Sequence, residues 1–341
     1  MKRTALTFAL ALLCLASGAR AEGPALEKKK IVIAVGGKTL FYYLPLTLAE
    51  QLGYFKDEGL DVEIVDFAGG AKALQAMVGG SADFVSGAFE HTIHMQSRHV
   101  DVAGIALQGR YASIALGMSK ARAATYKSAK DLKGLKVGVT APGSSTNFFV
   151  SALLAQEGLK PDDVSIIGVG ASSNAAAAMK KGEIDALSNL DPIMTKLERD
   201  GDVVVVADTR TAEGMKKYYG GDYAASCIYA MKDFLAKNPN TAQAVASAMV
   251  RALHFAKTSP IEKILAVIPA DYYSGDKDTY KAALAKSIES YSPDGRFTLE
   301  GARNVYKVLK LFEPSVMAAK IDVAATFDNR FVDAAAKRLA K

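Results

Sequence analysis

Chemistry in this 341-residue chain would have to come from a small set of side chains. There are four histidines, His91, His94, His99 and His254. His91 and His94 stand three apart, so they can share a helical face beside Glu90, but a metal site needs more ligands and no further cluster accompanies them. Cys227 lies in a strand-like run, AASCIYAMK (Ala224 to Lys232), and reads as a buried thiol. The sequence has no G-x-S-x-G elbow and no phosphate-loop motif, and GVGASS (Gly168 to Ser173) misses the spacing of the dinucleotide fingerprint. Catalysis, a metal and a cofactor therefore all lack support. The best single stretch for chemistry of another kind is APGSSTNF (Ala141 to Phe148). Ser144, Ser145 or Thr146 can cap the helix that follows, and the free N–H groups there make a site for an anion. Plain helix capping explains the same residues with no ligand at all, and both readings stand.

Such loops must be positioned by strands. KIVIAV (Lys30 to Val35) reads as a buried strand ended by Gly36-Gly37. A helix follows, with Pro45 in its first turn and Leu44, Leu48, Leu52 and Phe55 on one face. DVEIVDF is the next strand, a helix covers about 71–78, and Asp83-Phe84-Val85 opens a third strand. The same order then returns. MVGGSADFVS starts at Met77 and MKKGEIDALS at Met179, 102 positions later, with Met, Gly, Asp and Ser in matching places. EGL also recurs, at Glu58 and Glu157. In the second copy Lys136 to Val139 and VSIIGV are strands, Asn147 to Gln156 and Ala175 to Lys181 are helices, and Ile184 to Leu187 closes the unit. Alternating β and α elements favour a parallel sheet with helices on both faces, here twice over. The predicted fold class is α/β with two similar lobes.

In open parallel sheets ligands sit beyond the C-terminal ends of strands. Those ends are Gly36 to Thr39, Gly69 to Ala71, Ser86 to Ala88 and Gln108 to Tyr111 in the first lobe. In the second they are Thr140 to Thr146, Gly168 to Ser172 and Ser188 to Asp191. Two facing lobes would bring both sets to one cleft. The predicted ligand-binding residues are Lys38, Thr39, Tyr42, Tyr43, Gly70, Ser86, Gly87, Arg110, Tyr111, Ser144, Ser145, Thr146, Gly170, Asn189 and Asp191. Arg110 follows a strand directly, and its planar fork suits a carboxylate or sulfonate. Ser86, Asn189 and Lys38 would give directional hydrogen bonds, while Tyr42, Tyr43 and Tyr111 would wall the nonpolar part. Asp191 would take a ligand amine or turn the chain before Pro192. Lys72 reads as solvated.

The expected domains are 22–117 with 224–341 as lobe one and 118–223 as lobe two. SIALGMSK (Ser113 to Lys120) and AASCIYAMK would serve as two extended crossings. Helices are expected over Pro239 to Thr258, Asp278 to Tyr291 and Leu299 to Phe312. Lys2 and Arg3, the apolar run Phe8 to Ala16 and the small residues around Ala21 read as a secretory signal peptide cut after Ala21. A membrane anchor and a lipoprotein at Cys14 are the alternatives, the latter weakened by Leu13. Removal of Lys2, Arg3 and Arg20 with no acid takes the net charge from +6 to +3, too mild for nucleic acid. Cys227 then stands alone, so the export signal, not cysteine usage, gives the compartment. No later run approaches the ~18 apolar residues of a membrane span.

GYFKDEGLDVEIVDFAGGAKALQAMVGGSADFVSGA (Gly53 to Ala88), DLKGLKVGVTAPGSS (Asp131 to Ser145) and GEIDAL (Gly182 to Leu187) resemble the nitrate, taurine and aliphatic-sulfonate type of periplasmic substrate-binding protein. The resemblance covers nearly all the chain after the signal. It implies a two-lobe periplasmic-binding-protein fold, type II-like, joined by two hinge strands and closing on a small anion that is passed to an ABC permease with its ATPase. A monomer, a periplasmic location and no catalytic activity are implied as well. The same family includes binders of the neutral thiamine pyrimidine precursor and eukaryotic enzymes that make that pyrimidine. Those enzymes use a cysteine-rich motif and a histidine, and Cys227 is alone here. Some relatives carry a tryptophan after the first strand, where this chain has Tyr42 and Tyr43. A sensor module presenting its bound lobe to a receptor is a third reading.

Overall fold

The computed structural model describes residues 25–273 and 276–339, so the predicted signal peptide, 1–21, and its Cys14 lie outside the described residues. Among the described residues ten strands form two five-stranded sheets. The first contains β1 (Lys30–Val35), β2 (Asp61–Asp66), β3 (Phe84–Ala88) and β4 (Val102–Leu107). The second contains β5 (Ile114–Met118), β6 (Lys136–Val139), β7 (Ser165–Gly168), β8 (Ala186–Leu190) and β9 (Val204–Asp208). β10 (Ser226–Met231) returns to the first sheet. The orders are β2-β1-β3-β10-β4 and β7-β6-β8-β5-β9.

The two sheets are copies of one plan. β1 runs parallel to β2 and β3, and β6 runs parallel to β7 and β8. β10 pairs antiparallel with β3 and β4, and β5 pairs antiparallel with β8 and β9. SIALGMSK and AASCIYAMK thus each supply an inner strand of the sheet they enter. Each half of the chain gives its fifth strand to the other half's sheet. β3, β4, β5 and β8 are buried along their length, as in sheets covered by helices on both faces.

Local sequence accounts for the helices that carry the strand-end loops. Leu44–Gln51 has Pro45 in its first turn, where a missing N–H is harmless. The expected single helix through Phe55 is split, because Gly53 takes φ 72° and a second helix, Tyr54–Asp57, begins after it. Gly70–Val78, Glu90–Gln96 and Ser145–Gln156 follow β2, β3 and β6 directly. The C-terminal third packs on the first sheet: Pro239–Thr258 lies against Leu44–Gln51 and Arg330–Leu339, burying Val245, Ala248, Met249 and Ala252. No described helix is long and apolar enough to cross a membrane.

One close approach sets the shape of the first lobe's rim. A Cβ on Gly36 would lie 2.2 Å from backbone atoms of Gly69 and Gly70. The loop after β1 therefore rests directly on the loop after β2, with no side chain between them.

Candidate functional site

The strand-end loops of the two sheets meet. Ala71 N–H, in the first turn of Gly70–Val78, donates to Ser144 Oγ at 2.9 Å in a buried bond. Ser144 is the N-cap of Ser145–Gln156, yet its hydroxyl makes no bond to its own helix. It reaches instead across to the other lobe. Phe41 N–H donates to the Asp191 carbonyl at 3.0 Å, and a Cβ on Gly69 would lie 2.9 Å from Ala141 Cβ. The lobes are therefore closed on one another, helix start against helix start. The N–H groups of Gly70, Ser145 and Thr146 make no hydrogen bond among the described residues. Helix N-termini carry positive partial charge, so two of them face to face make a region suited to an acceptor or an anion.

His91 sits at the centre of this contact, and sequence reasoning weighed it only as a metal ligand. The strand-end rule stopped at Ala88, three residues short of it. Its Nδ1 is 3.0 Å from Tyr229 Oη and its Nε2 is 3.2 Å from the Gly143 carbonyl of the other lobe. A carbonyl only accepts, so Nε2 carries the proton and Nδ1 accepts from Tyr229. Burial pushes the His91 pKa down to about 4, so the ring is neutral. A Cβ on Gly70 would lie 3.4 Å from His91 Cε1, 3.5 Å from Tyr43 Oη and 3.9 Å from Ser144 Oγ. These three side chains converge on the start of Gly70–Val78.

Glu90, next to His91, is 1% exposed. Its Oε1 accepts from Tyr223 Oη at 3.1 Å, while Oε2 has no partner among the described residues. Burial raises its pKa to about 7 against only a small set of opposing hydrogen bonds. Tyr42 Oη is likewise buried and unpartnered. Burial is also the main reason the phenols of Tyr42, Tyr223 and Tyr229 and the thiol of Cys227 sit well above their ordinary values, with the Glu90 charge adding to each.

The other predicted residues fall into three groups. Tyr43, Gly70 and Ser144 belong to the contact just described. Tyr42 is buried beside Tyr43, ring centres 5.0 Å apart. Ser145 is buried in the first turn of its helix, and Thr39 is half-buried in the loop after β1.

A second group is spent on local structure. Thr146 Oγ1 accepts from Thr140 N–H at 3.0 Å, and its carbonyl accepts from Ser188 Oγ at 2.8 Å. Ser86 pairs with Gln108, whose Nε2 donates to Ser86 Oγ at 2.9 Å. Asn189 Nδ2 donates to the Gly170 carbonyl at 3.3 Å, and a Cβ on Gly87 would strike the Tyr229 ring at 2.7 Å.

The third group holds the charges. Lys38 Nζ is 2.8 Å from Glu50 Oε1. Arg110 Nη2 donates to the Glu289 carbonyl at 3.2 Å and Tyr111 Oη to the Glu289 carboxylate at 2.8 Å, so both turn toward the helical C-terminal third. Asp191 caps Ile193–Asp200 through Thr195 N–H at 2.8 Å and lies 3.3 Å from Arg210 Nη1. Arg210, absent from the sequence reading, also forks onto Asp208 at 2.7 Å and touches Thr195 and Glu198. Lys72 is exposed, as expected.

Two open spaces flank the contact. One, of about 870 Å³, lies between Gly70–Val78, Glu90–Gln96 and Phe312 on one lobe and Pro142 to Ile166 on the other, and His91 and Gly143 are among its walls. The other, of about 810 Å³, is lined by Asp191, Thr195, Arg210 and Ser287. Among the described residues no group of three or more His, Cys, Asp or Glu side chains could hold a metal.

The comparisons with known proteins agree with this architecture. A family model described as NMT1/THI5 like matches residues 41–263. A solved protein from Bordetella bronchiseptica RB50 is 50% identical, with a TM-score of 0.90 over 93% of this chain and 100% of that one. The alkanesulfonate-binding protein SsuA from Xanthomonas axonopodis pv. citri, solved bound to MOPS, is 18% identical, with a TM-score of 0.69 over 89% of this chain and 100% of that one. The 4-amino-5-hydroxymethyl-2-methylpyrimidine phosphate synthase THI13 of Saccharomyces cerevisiae is 24% identical over 243 residues, 68% of each chain. The likeness to the solved binding protein is one of fold: two mixed sheets flanked by helices, the periplasmic-binding-protein fold.

Proposed function

The chain belongs to the NMT1/THI5-like family, and from that premise we propose that it is the extracytoplasmic solute-binding component of an ABC importer. It captures a small anion between its lobes, as a monomer and without turnover, and hands it to a permease with its ATPase. One observation carries this reading: the buried bond from Ala71 N–H to Ser144 Oγ, which joins two opposed helix starts across the cleft. Opening the lobes breaks that bond. It frees Ala71 N–H, the Ser144 hydroxyl and His91 Nε2–H at once, beside the already unpaired amides of Gly70, Ser145 and Thr146. Nearly all are donors. A ligand bearing an oxyanion would take the place of these direct lobe-to-lobe bonds, accepting from both lobes together, so binding shifts the population toward a closed form with the ligand between the lobes. The solved alkanesulfonate-binding protein SsuA, of the same fold, was found holding MOPS, a sulfonate, whose head group would suit these donors.

A second reading is favoured by a specific observation. Glu90 Oε2 and Tyr42 Oη are buried without partners, and they would suit the amino group of a neutral heterocycle such as an aminopyrimidine. Isothermal titration with sulfonates, taurine, nitrate, aromatic carboxylates and aminopyrimidines separates the two. The anion reading expects heat with an anion and a tenfold or greater loss of affinity in Ser144→Ala, roughly the loss of one charge-assisted hydrogen bond. Binding of an aminopyrimidine alone, lost in Glu90→Gln and kept in Ser144→Ala, would establish the second reading. Turnover by the isolated protein would refute both.

A further inference from the structure

The space of about 870 Å³ is not shaped for a small inorganic ion. Ligand pockets for drug-sized molecules run to roughly 300–1,000 Å³. Its walls come from both lobes and are largely apolar: Leu74, Met95 and Phe312 from one, Phe148 and Ile166 from the other. Phe148 is its centrepiece. The ring stacks on His94, with centres 5.9 Å apart and planes 25° from parallel, and lies 5.7 Å from Phe312. Burial lowers the His94 pKa against the pull of Glu313, and its Nδ1 has no hydrogen-bond partner among the described residues. The stack is a flat aromatic platform, with the Glu313 carboxylate 3.6 Å from His94 Nδ1. His91, Gly143 and Ala71 line the same space, where the opposed helix starts begin.

Resting on the solute-binding reading, we infer that the ligand is an amphipathic anion with a flat aromatic or similarly bulky apolar body. Its oxyanion lies at His91, Ala71 and Ser144 and its body in the space walled by Phe148. The geometry makes head and body subsites continuous. The His91 and Phe148 ring centres are 6.2 Å apart, so a ligand of one or two rings reaches both the donors and the platform. Nitrate or taurine would meet the donors but leave the apolar walls facing water, forgoing the burial that favours an aromatic body. Because Phe148 lies on one lobe and Leu74, Met95 and Phe312 on the other, only the closed form sandwiches the body. The body as well as the head therefore drives closure.

The test is isothermal titration of the full chain with naphthalene-2-sulfonate, taurine and nitrate, in the parent protein, Phe148→Ala and Ile166→Ala. Circular dichroism and melting curves check that each variant is folded. The expected result is naphthalene-2-sulfonate binding at least tenfold more tightly than taurine, with that ratio falling about tenfold or more in Phe148→Ala. Ile166→Ala should move the ratio in the same direction if Phe148→Ala fails to fold. Taurine or nitrate binding as tightly as the aromatic sulfonate, or a ratio unmoved by both variants, would overturn the inference and leave the solute-binding reading intact. No binding of any of the three would overturn the inference together with the anion reading.

Discussion

Replacing Glu90 with glutamine should change the pH dependence of stability in a way few other substitutions can. The side chain is 1% exposed, and one carboxyl oxygen has a single tyrosine partner. Its folded pKa is about 7 against an ordinary 4.5. Below pH 4.5 the group is protonated in both states, and the folded chain's tighter hold on the proton contributes fully. Between 4.5 and 7 the unfolded chain releases the proton and the folded chain does not, so stability falls as pH rises. At about 1.4 kcal/mol per pH unit that interval is worth roughly 3 kcal/mol, an order-of-magnitude figure for a buried group. Glutamine keeps an acceptor for Tyr223 and carries no charge. Any constant effect of its amide cancels when the two proteins are compared across pH. Glu90→Gln should thus gain on the parent by roughly 3 kcal/mol between pH 4.5 and pH 8, a rise of about 4–8 °C in relative melting temperature for a chain of this size. Paired melting curves at half-unit steps, without added ligand, measure it. A difference between the two proteins that stays constant from pH 4.5 to 8 would refute the reasoning, because it would mean that the folded carboxyl titrates like a solvated one.

Two further substitutions probe closure and its support. Gly69 has φ −173°, which any residue adopts, so what a side chain there would meet is the other lobe, Ala141 and the Thr140 carbonyl carbon, at 2.9–3.0 Å. Gly69→Ala should leave the melting temperature nearly unchanged, lower ligand affinity tenfold or more, and keep the radius of gyration from small-angle scattering at the open value when ligand is added. A normal compaction would show that the lobes close elsewhere. Arg210→Met should cost about 3 kcal/mol in denaturant unfolding, because it leaves the mostly buried Asp191 and its neighbour Asp208 without their shared cation. A loss under 1 kcal/mol would mean that the ion cluster is solvated enough to be neutral in effect.

Much of this architecture was legible because it is periodic. β1 was read at its observed bounds, Lys30–Val35, and so was the helix Pro239–Thr258, since apolar runs and a proline in the first turn are local signals. The repeat from Met77 to Met179 marked two equivalent sheets, and it was right. What sequence could not supply was pairing. β10 enters between β3 and β4 from more than a hundred residues away, and nothing in SCIYAM specifies its neighbours. The site divides in the same way. Glycine-rich loops at strand ends point to the lobe-to-lobe contact where Gly70 and Ser144 lie, because backbone position follows from topology. The directions of Lys38, Arg110 and Asp191 did not follow, because a long or charged side chain takes whichever partner the fold brings near: Glu50, the Glu289 carbonyl and Arg210 respectively. His91 was overlooked as a lobe-to-lobe contact for the same reason. Its two partners, Tyr229 and Gly143, stand 138 and 52 residues away.

The exchange of strands between the sheets also dictates an order of assembly. Every strand of the second sheet, β5 to β9, lies in one unbroken stretch, Ile114 to Asp208, whereas the first sheet waits for β10. β10 is not an edge but the link between β3 and β4, so β4 has no sheet to join until Ser226–Met231 has been made. As the chain emerges N-terminus first, from the ribosome or across the membrane, the second sheet can finish before the first. The first hundred residues must stay unpaired at one edge while it does so, the condition in which exposed strands invite aggregation or chaperone binding.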